Sequence, residues 1–310
     1  MIPKTERNTV NFRRITPEDQ KAYETLLFSE PRRGCEFTFA NLYLWGRQQI
    51  AFTEQGALLF SQFNRRTVYP YPLGENKKEL LDAIIEDAAA RGIPCRITGL
   101  SEDNIRTVEA LYPNRFRFHC DEGSFDYVYA IDDLADLKGK NYQKKRNHLR
   151  RFEESYPGYE IRPITKAILP KVREMLSDWY TERLEADPHA DLHMEKAALE
   201  RAFSHFDELS LDGIVLLHEN KLLAFTLGSR LANDTFDVQF EKSFSDIQGA
   251  YAAINREFAR YIREKYPEIR FLDREEDMGL EGLRKAKKSY YPHHMIEKCW
   301  ACLLEDGYDY

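Results

Sequence analysis

Along residues 166–183 apolar side chains return every three or four positions. Leu169, Val172, Met175, Leu176, Trp179 and Tyr180 share one helix face, with Pro170 in the first turn. The period then changes. "GIVLLHENKLLAFTLGSR" (213–230) sets two apolar runs around Glu219-Asn220, the pattern of a hairpin. "DTFDVQFEK" (234–242) alternates and sets Phe236, Val238 and Phe240 on one strand face. Helical spacing resumes in "GAYAAINREFARYIREKY" (249–266), where Tyr251, Ile254, Phe258 and Tyr261 or Ile262 form the stripe. A strand "IRFLD" (269–273), a short helix "LEGLRKAKKSY" (280–290) and a last strand "HMIEKCWACLL" (294–304) follow.

The first half repeats this order. "FRRIT" (12–16) is echoed by "IRPIT" (161–165), each before a helical segment. Strands within 49–69 lead to a helix at 77–92, a strand at 95–100, a short helix at 102–113 and a strand at 115–120. Both short helices end near a Tyr-Pro, Tyr112-Pro113 and Tyr291-Pro292. The spacing predicts a duplicated β–α–β–β–β–α–β–α–β unit, the element order of the GNAT acyltransferase fold. The fold class is thus α+β, with tandem GNAT-like domains around mixed central sheets. The expected boundaries are 1–130 for the first domain, 131–158 for a basic linker helix and 159–310 for the second domain, which carries the active site.

Composition narrows the class. The 310 residues suit two domains, and 43% hydrophobic with 13% aromatic content supplies real cores. A net charge of −7 argues against a chain built to coat nucleic acid, though a local basic patch can still bind polyanions. No apolar run reaches bilayer length and the N-terminus lacks an apolar signal core, so a soluble, cytoplasmic protein is expected. Cys35, Cys95, Cys120, Cys299 and Cys302 are odd in number and scattered, which predicts reduced thiols.

Two charged stretches are candidate sites. From 138 to 151 the chain carries seven Lys or Arg, plus His148, and no acid. Lys144, Lys145, Arg146 and Arg150 would hold a polyanionic donor, such as tRNA, or an anionic lipid headgroup. A solvated helix face is the plainer reading of the same run. The second stretch, "LDREEDMGLEGLRKAKKSYYPHH" (272–294), puts acids at the end of a strand and cations along a helix. Strand ends are common ligand positions in α/β folds, whereas the charge order also suits a helix dipole.

Weaker signals come next. "CWAC" (299–302) sits in a strand, so neither a thioredoxin-like site nor zinc is expected there. His189, Asp191 and His193 lack further ligands, and no metal is expected. Acetyl-CoA is disfavoured because the turn into the long helix has one glycine, Gly249, with Asp246 where a basic or amide residue would stand.

"CEFTFANLYLW" (35–45), "KKRNHLRRF" (144–152), "FEKSFSDIQGAYAAINREFA" (240–259) and "DREEDMGLEGLRKAKKSYYP" (273–292) together resemble a bacterial family of unassigned function. That family is related to the C-terminal catalytic domain of phosphatidylglycerol lysyltransferase. The resemblance covers nearly the whole chain. It implies a tandem GNAT-like fold similar to lysyl- and alanyl-phosphatidylglycerol synthases and Fem-type transferases. Those enzymes move an aminoacyl group from aminoacyl-tRNA to a lipid hydroxyl or peptidoglycan amine, without metal or CoA. Arg284, Lys287, Lys288, Tyr291 and Pro292 look like the synthases' lysine-containing stretch before an aromatic-Pro. The synthases also carry a membrane flippase portion, whereas no transmembrane segment is expected here, which argues against a lipid acceptor but leaves peripheral contact with anionic lipid through the basic helix open.

The leading expectation is an aminoacyl- or acyltransferase. Asp273, Glu276 and Asp277 would hold or deprotonate the acceptor, and Arg284 and Lys287 would neutralise phosphate or oxyanion. Glu241 and Lys242 would line the same cleft, with Asn255, Lys288 and Tyr291 as further substrate-binding residues. Lys287→Ala should then abolish transfer and leave the fold intact. Two other readings compete: a non-catalytic GNAT-like sensor, and an acetyl-CoA-dependent N-acetyltransferase.

Overall fold

The computed structural model describes residues 9–30, 33–63, 66–189 and 192–304, which form two compact units. Unit 1 comprises Met1–Asp126 with Ile296–Tyr310, and unit 2 comprises Tyr127–Met295.

Unit 1 opens with β1 (Arg13–Arg14), α1 (Gln20–Ser29) and α2 (Phe39–Trp45). The strands β2 (Gln48–Thr53), β3 (Gly56–Phe63), β4 (Arg66–Pro70) and β5 (Leu73–Gly74) lead to α3 (Lys77–Arg91), β6 (Arg96–Leu100), α4 (Glu102–Leu111) and β7 (Phe116–Cys120). Local chemistry sets the helix ends. The Asn76 side chain accepts from Glu79 N–H to start α3, and Gly92 closes it in the left-handed region. Ser101 and Asn104 form a capping box on α4.

Unit 2 contains β8 (Asp126–Ala130), α5 (Ile131–Asp136), α6 (Gln143–Ser155), β9 (Glu160–Pro163), α7 (Leu169–Ala186), α8 (His193–Ser204), β10 (Asp212–His218), β11 (Lys221–Arg230) and β12 (Thr235–Ser243). It continues with α9 (Ala250–Lys265), β13 (Phe271–Asp273), α10 (Glu281–Lys288) and β14 (His294–Ile296). Its sheet runs β14-β8-β13-β12-β11-β10-β9, with β12 and β13 parallel. The α9 stripe, Ile254, Phe258 and Ile262, packs on Phe236, Val238 and Leu272.

Three sequence expectations change. The final strand predicted at 294–304 is two strands, and the second, β15 (Cys299–Leu303), lies in unit 1. It pairs antiparallel with both β6 and β7, filling the place between them. In unit 2 the matching inner place, between β13 and β14, is taken by β8. Residues 296–304 therefore leave the second domain expected at 159–310, because β15 satisfies its backbone on both edges in unit 1.

The expected linker helix at 131–158 is two helices interrupted near Leu137 (φ 50°) and Gly139 (φ 86°). It belongs to unit 2, since Leu149 and Phe152 of α6 are buried in that unit's core. The backbone of α6 comes so close to the start of α9 that a Cβ on Gly249 would lie 2.2 Å from the His148 carbonyl oxygen.

The cysteines are not all reduced. Register places Cys120 directly opposite Cys299 on β7 and β15, and the two form a disulfide, while Cys35, Cys95 and Cys302 are buried. Asp191, from the His189–His193 stretch, lies outside the described residues. Among the described residues no helix is long and apolar enough to cross a membrane.

The disulfide closes a loop with a sequence separation of 179. Adding a reductant is expected to lower wild-type unfolding free energy by about 2–4 kcal/mol. The Cys120→Ala variant should show no such response, which denaturant titrations with and without reductant would check.

Candidate active site

The site is built where β13 ends. Parallel pairing with β12 sets Asp273 opposite Asp237, and antiparallel pairing with β8 sets it opposite Val128. Asp273 is fully buried and accepts from the Glu275 backbone N–H at 2.8 Å. The chain then turns through 274–280, where Glu275 (φ 59°), Met278 (φ 53°) and Gly279 (φ 72°) adopt left-handed conformations. A non-glycine residue stays there only when its surroundings hold it.

Asp277 does that holding. Its Oδ2 accepts from Arg284 Nε at 2.7 Å and from the Tyr127 hydroxyl at 2.7 Å. Its Oδ1 accepts from Gly279 N–H at 2.8 Å and Arg284 Nη2 at 3.1 Å. The Arg284 bonds, followed by those from Tyr127 and Gly279, hold this buried carboxyl down at about 2 against the opposing effect of desolvation. Such a carboxylate takes no proton near neutrality, so Asp277 is an anchor rather than the expected base. Arg284 spends Nε and Nη2 on it. Lys287 secures the other side of the turn: its ammonium donates to the carbonyls of Arg274 and Glu275, the latter at 3.2 Å. These residues position the loop. Glu276 is half-buried within it.

What the loop presents is Arg274. Its Nη2 donates to Glu241 Oε1 at 2.9 Å, and its guanidinium carbon lies 5.1 Å from the Tyr290 ring centroid and 5.8 Å from that of Tyr129. With its amide oxygen turned to the guanidinium, Asn255 accepts from Arg274 Nε at 3.2 Å. Lys145 reaches the same Tyr290 ring, its ammonium 3.6 Å from the centroid. Desolvation, aided by the charge of Arg274, lowers the Lys145 ammonium to about 8. Two cations thus share one phenol ring, and among the described residues only Arg274 is paired with a carboxylate there.

Other expected residues are placed elsewhere. Glu241 and Lys242 diverge, since adjacent strand residues face opposite sides. Lys242 pairs with Glu195 at 2.9 Å and sits 4.2 Å from the Trp179 ring centroid. A register shift between β11 and β12 changes the alternation, so Phe236 and Val238 lie in the α9 core without Phe240, while Glu241 meets Arg274. Arg146 donates to the carbonyls of Leu137 and Gly139, at 2.5 and 2.7 Å. Lys144, Arg150 and Lys288 are exposed. Tyr291 stacks edge-on against Tyr142. Arg274, Tyr129 and Tyr290 were not expected as site residues. The available signal was Arg274 itself, the single cation in the acidic run 273–277.

Two pH responses follow. The stabilising contribution of Asp277 is complete above the ordinary aspartate value of about 3.9 and is lost as pH falls toward 2. Arg284→Gln should therefore move the acid-unfolding midpoint to higher pH, read by circular dichroism. Lys145 has the opposite sign: its folded value near 8 lies below the ordinary lysine value of about 10.4, so folding favours the neutral amine. Wild-type stability should rise relative to Lys145→Met between those two values, as paired thermal melts would show.

A family profile described as phosphatidylglycerol lysyltransferase, C-terminal, matches residues 29–302. A solved conserved protein of unknown function from Bacteroides thetaiotaomicron is 36% identical, covering 95% of this chain and 100% of that one, with a TM-score of 0.90. L-PGS from Bacillus licheniformis has the same fold at 14% identity, covering 94% of this chain and 93% of that one, with a TM-score of 0.68. An uncharacterised protein of Mycoplasmoides gallisepticum is 25% identical over 179 residues, 57% of this chain and 56% of its own length, so the match spans about half of that curated relative. The fold is a tandem GNAT-like one, and the chain belongs to the phosphatidylglycerol lysyltransferase C-terminal family.

Proposed function

We propose that the chain is an aminoacyltransferase that takes an aminoacyl ester, carried on tRNA, and passes it to a hydroxyl or amine acceptor. The family supports transfer chemistry of this class. The observation that carries the reading is the pair of cations on Tyr290, because Lys145 is lowered to about 8 beside a paired Arg274. A half-buried ammonium titrating near neutrality can both stabilise an anion and give up a proton.

The acceptor's nucleophile forms a bond to the ester carbonyl carbon, and the carbonyl oxygen becomes an oxyanion facing Lys145 and Arg274. Collapse breaks the ester C–O bond, and the leaving ribose oxygen takes its proton from Lys145. The acceptor's proton passes to solvent or to a carboxylate. Asp273 and Glu276 are the residues we assign to holding the acceptor, Asp277 being fully engaged. Lys144 and Arg150, exposed on α6, suit the phosphates of the donor or an anionic headgroup. The acetyl-CoA reading loses support because α6 covers the Gly249 turn where a pyrophosphate would sit.

Lys145→Met should lower single-turnover transfer from a charged-tRNA pool by roughly 10²–10³-fold, with wild-type circular dichroism. Wild-type transfer should fall as pH rises through 8. Salt-sensitive tRNA binding without transfer would favour the sensor reading, and unchanged transfer by the variant would remove Lys145 from the chemistry. Lys287→Ala should lower transfer through misplacement of Arg274, with a local change in protease sensitivity at 274–280 that a purely chemical role would not produce.

A further inference from the structure

Glu241 spends one carboxylate oxygen on Arg274. The other, Oε2, is buried and has no hydrogen-bond partner, in a side chain only 10% exposed. Directly across the ladder, Thr226 of β11 is the register partner of Glu241. Its side chain is fully buried, and its Oγ1 likewise has no partner. Residues opposed in an antiparallel pair share a sheet face, so the two orphaned oxygens belong to neighbouring side chains on one face of the sheet. An unsatisfied buried oxygen is unfavourable, and two on facing residues call for a common partner.

That partner must donate at least two hydrogens, one to each oxygen, and a carboxylate oxygen favours a positively charged donor. Arg274 fixes the orientation of the carboxylate, and Asn255 and Tyr290 fix Arg274 in turn. The seat is thus preorganised. Lys145 shares the Tyr290 ring with Arg274 and is a cation suited to an anion. An aminoacyl ester, cationic at its α-amine and negative at its carbonyl oxygen as the acceptor attacks, matches both.

We infer that Glu241 Oε2 and Thr226 Oγ1 form the seat for the protonated α-amino group of the aminoacyl substrate. This rests on the transferase reading and adds its specificity: the enzyme would read a free α-amine and reject one that is acylated. The register shift in β12 that turns Glu241 toward Arg274 is what creates the seat.

The test uses the full chain with lysinamide and alaninamide, each beside its Nα-acetylated form, measured by calorimetry at neutral pH. At least one amide should bind, and Nα-acetylation should weaken it tenfold or more. Glu241→Gln keeps an oxygen for Arg274 and turns an N–H₂ into the seat, so it should weaken binding by a similar factor. Thr226→Val should weaken binding severalfold while melting at or above wild type, since it removes an unsatisfied hydroxyl. Equal binding of the acetylated forms, wild-type affinity in both seat variants (a trapped water only), or no binding of either amide would overturn the seat. Amide binding with this pattern but no transfer from charged tRNA would sink the proposed function and leave the seat standing. Transfer that accepts Nα-acetylaminoacyl-tRNA as readily as the free form would do the reverse.

Discussion

Everything at this site hangs on one carboxylate. Asp277 collects four donors, from Arg284 (two), Tyr127 and Gly279, and with them it pins a turn whose backbone is otherwise unfavourable. Together these bonds tie three pieces of unit 2, namely β8, α10 and the turn itself. The low protonation point of Asp277 measures how well the surroundings are arranged for its charge. Without it Arg274 would leave a flexible loop, and its alignment with Glu241, Asn255 and Tyr290 would be lost.

Charge is distributed along the same logic. Cations that look alike in the sequence are sorted by what they meet. Arg146 and Lys287 are absorbed by carbonyls, Arg284 by a carboxylate, and Lys242 by Glu195. Lys145 meets an aromatic face beside another cation and is left partly desolvated. Under the proposed function, this desolvated cation is the one that meets the developing anion.

Much of the element order was legible because hydrophobic period is a local property. The α7 and α9 stripes and the hairpin at Glu219-Asn220 follow from spacing alone. The region of the site was legible too, through the charge run at 273–288. Roles inside it were not, since Asp273, Asp277, Arg284 and Lys287 differ in what surrounds them, which the chain reveals only when folded. The β12 register shift was invisible for the same reason: "DTFDVQFEK" alternates without a break, and the change of face appears only against β11. The destination of β15 escaped as well, because a strand's own residues say how it pairs and not with which sheet.

That destination has a consequence in time. Unit 1 needs residues 299–303 to join β6 to β7, yet every strand of unit 2 is synthesised before them. A growing chain that has completed only its first half holds two strand edges with nothing between them, the kind of surface that invites wrong pairing. The order of synthesis thus favours unit 2 as the first to settle, and the domain that begins the sequence is the last to close.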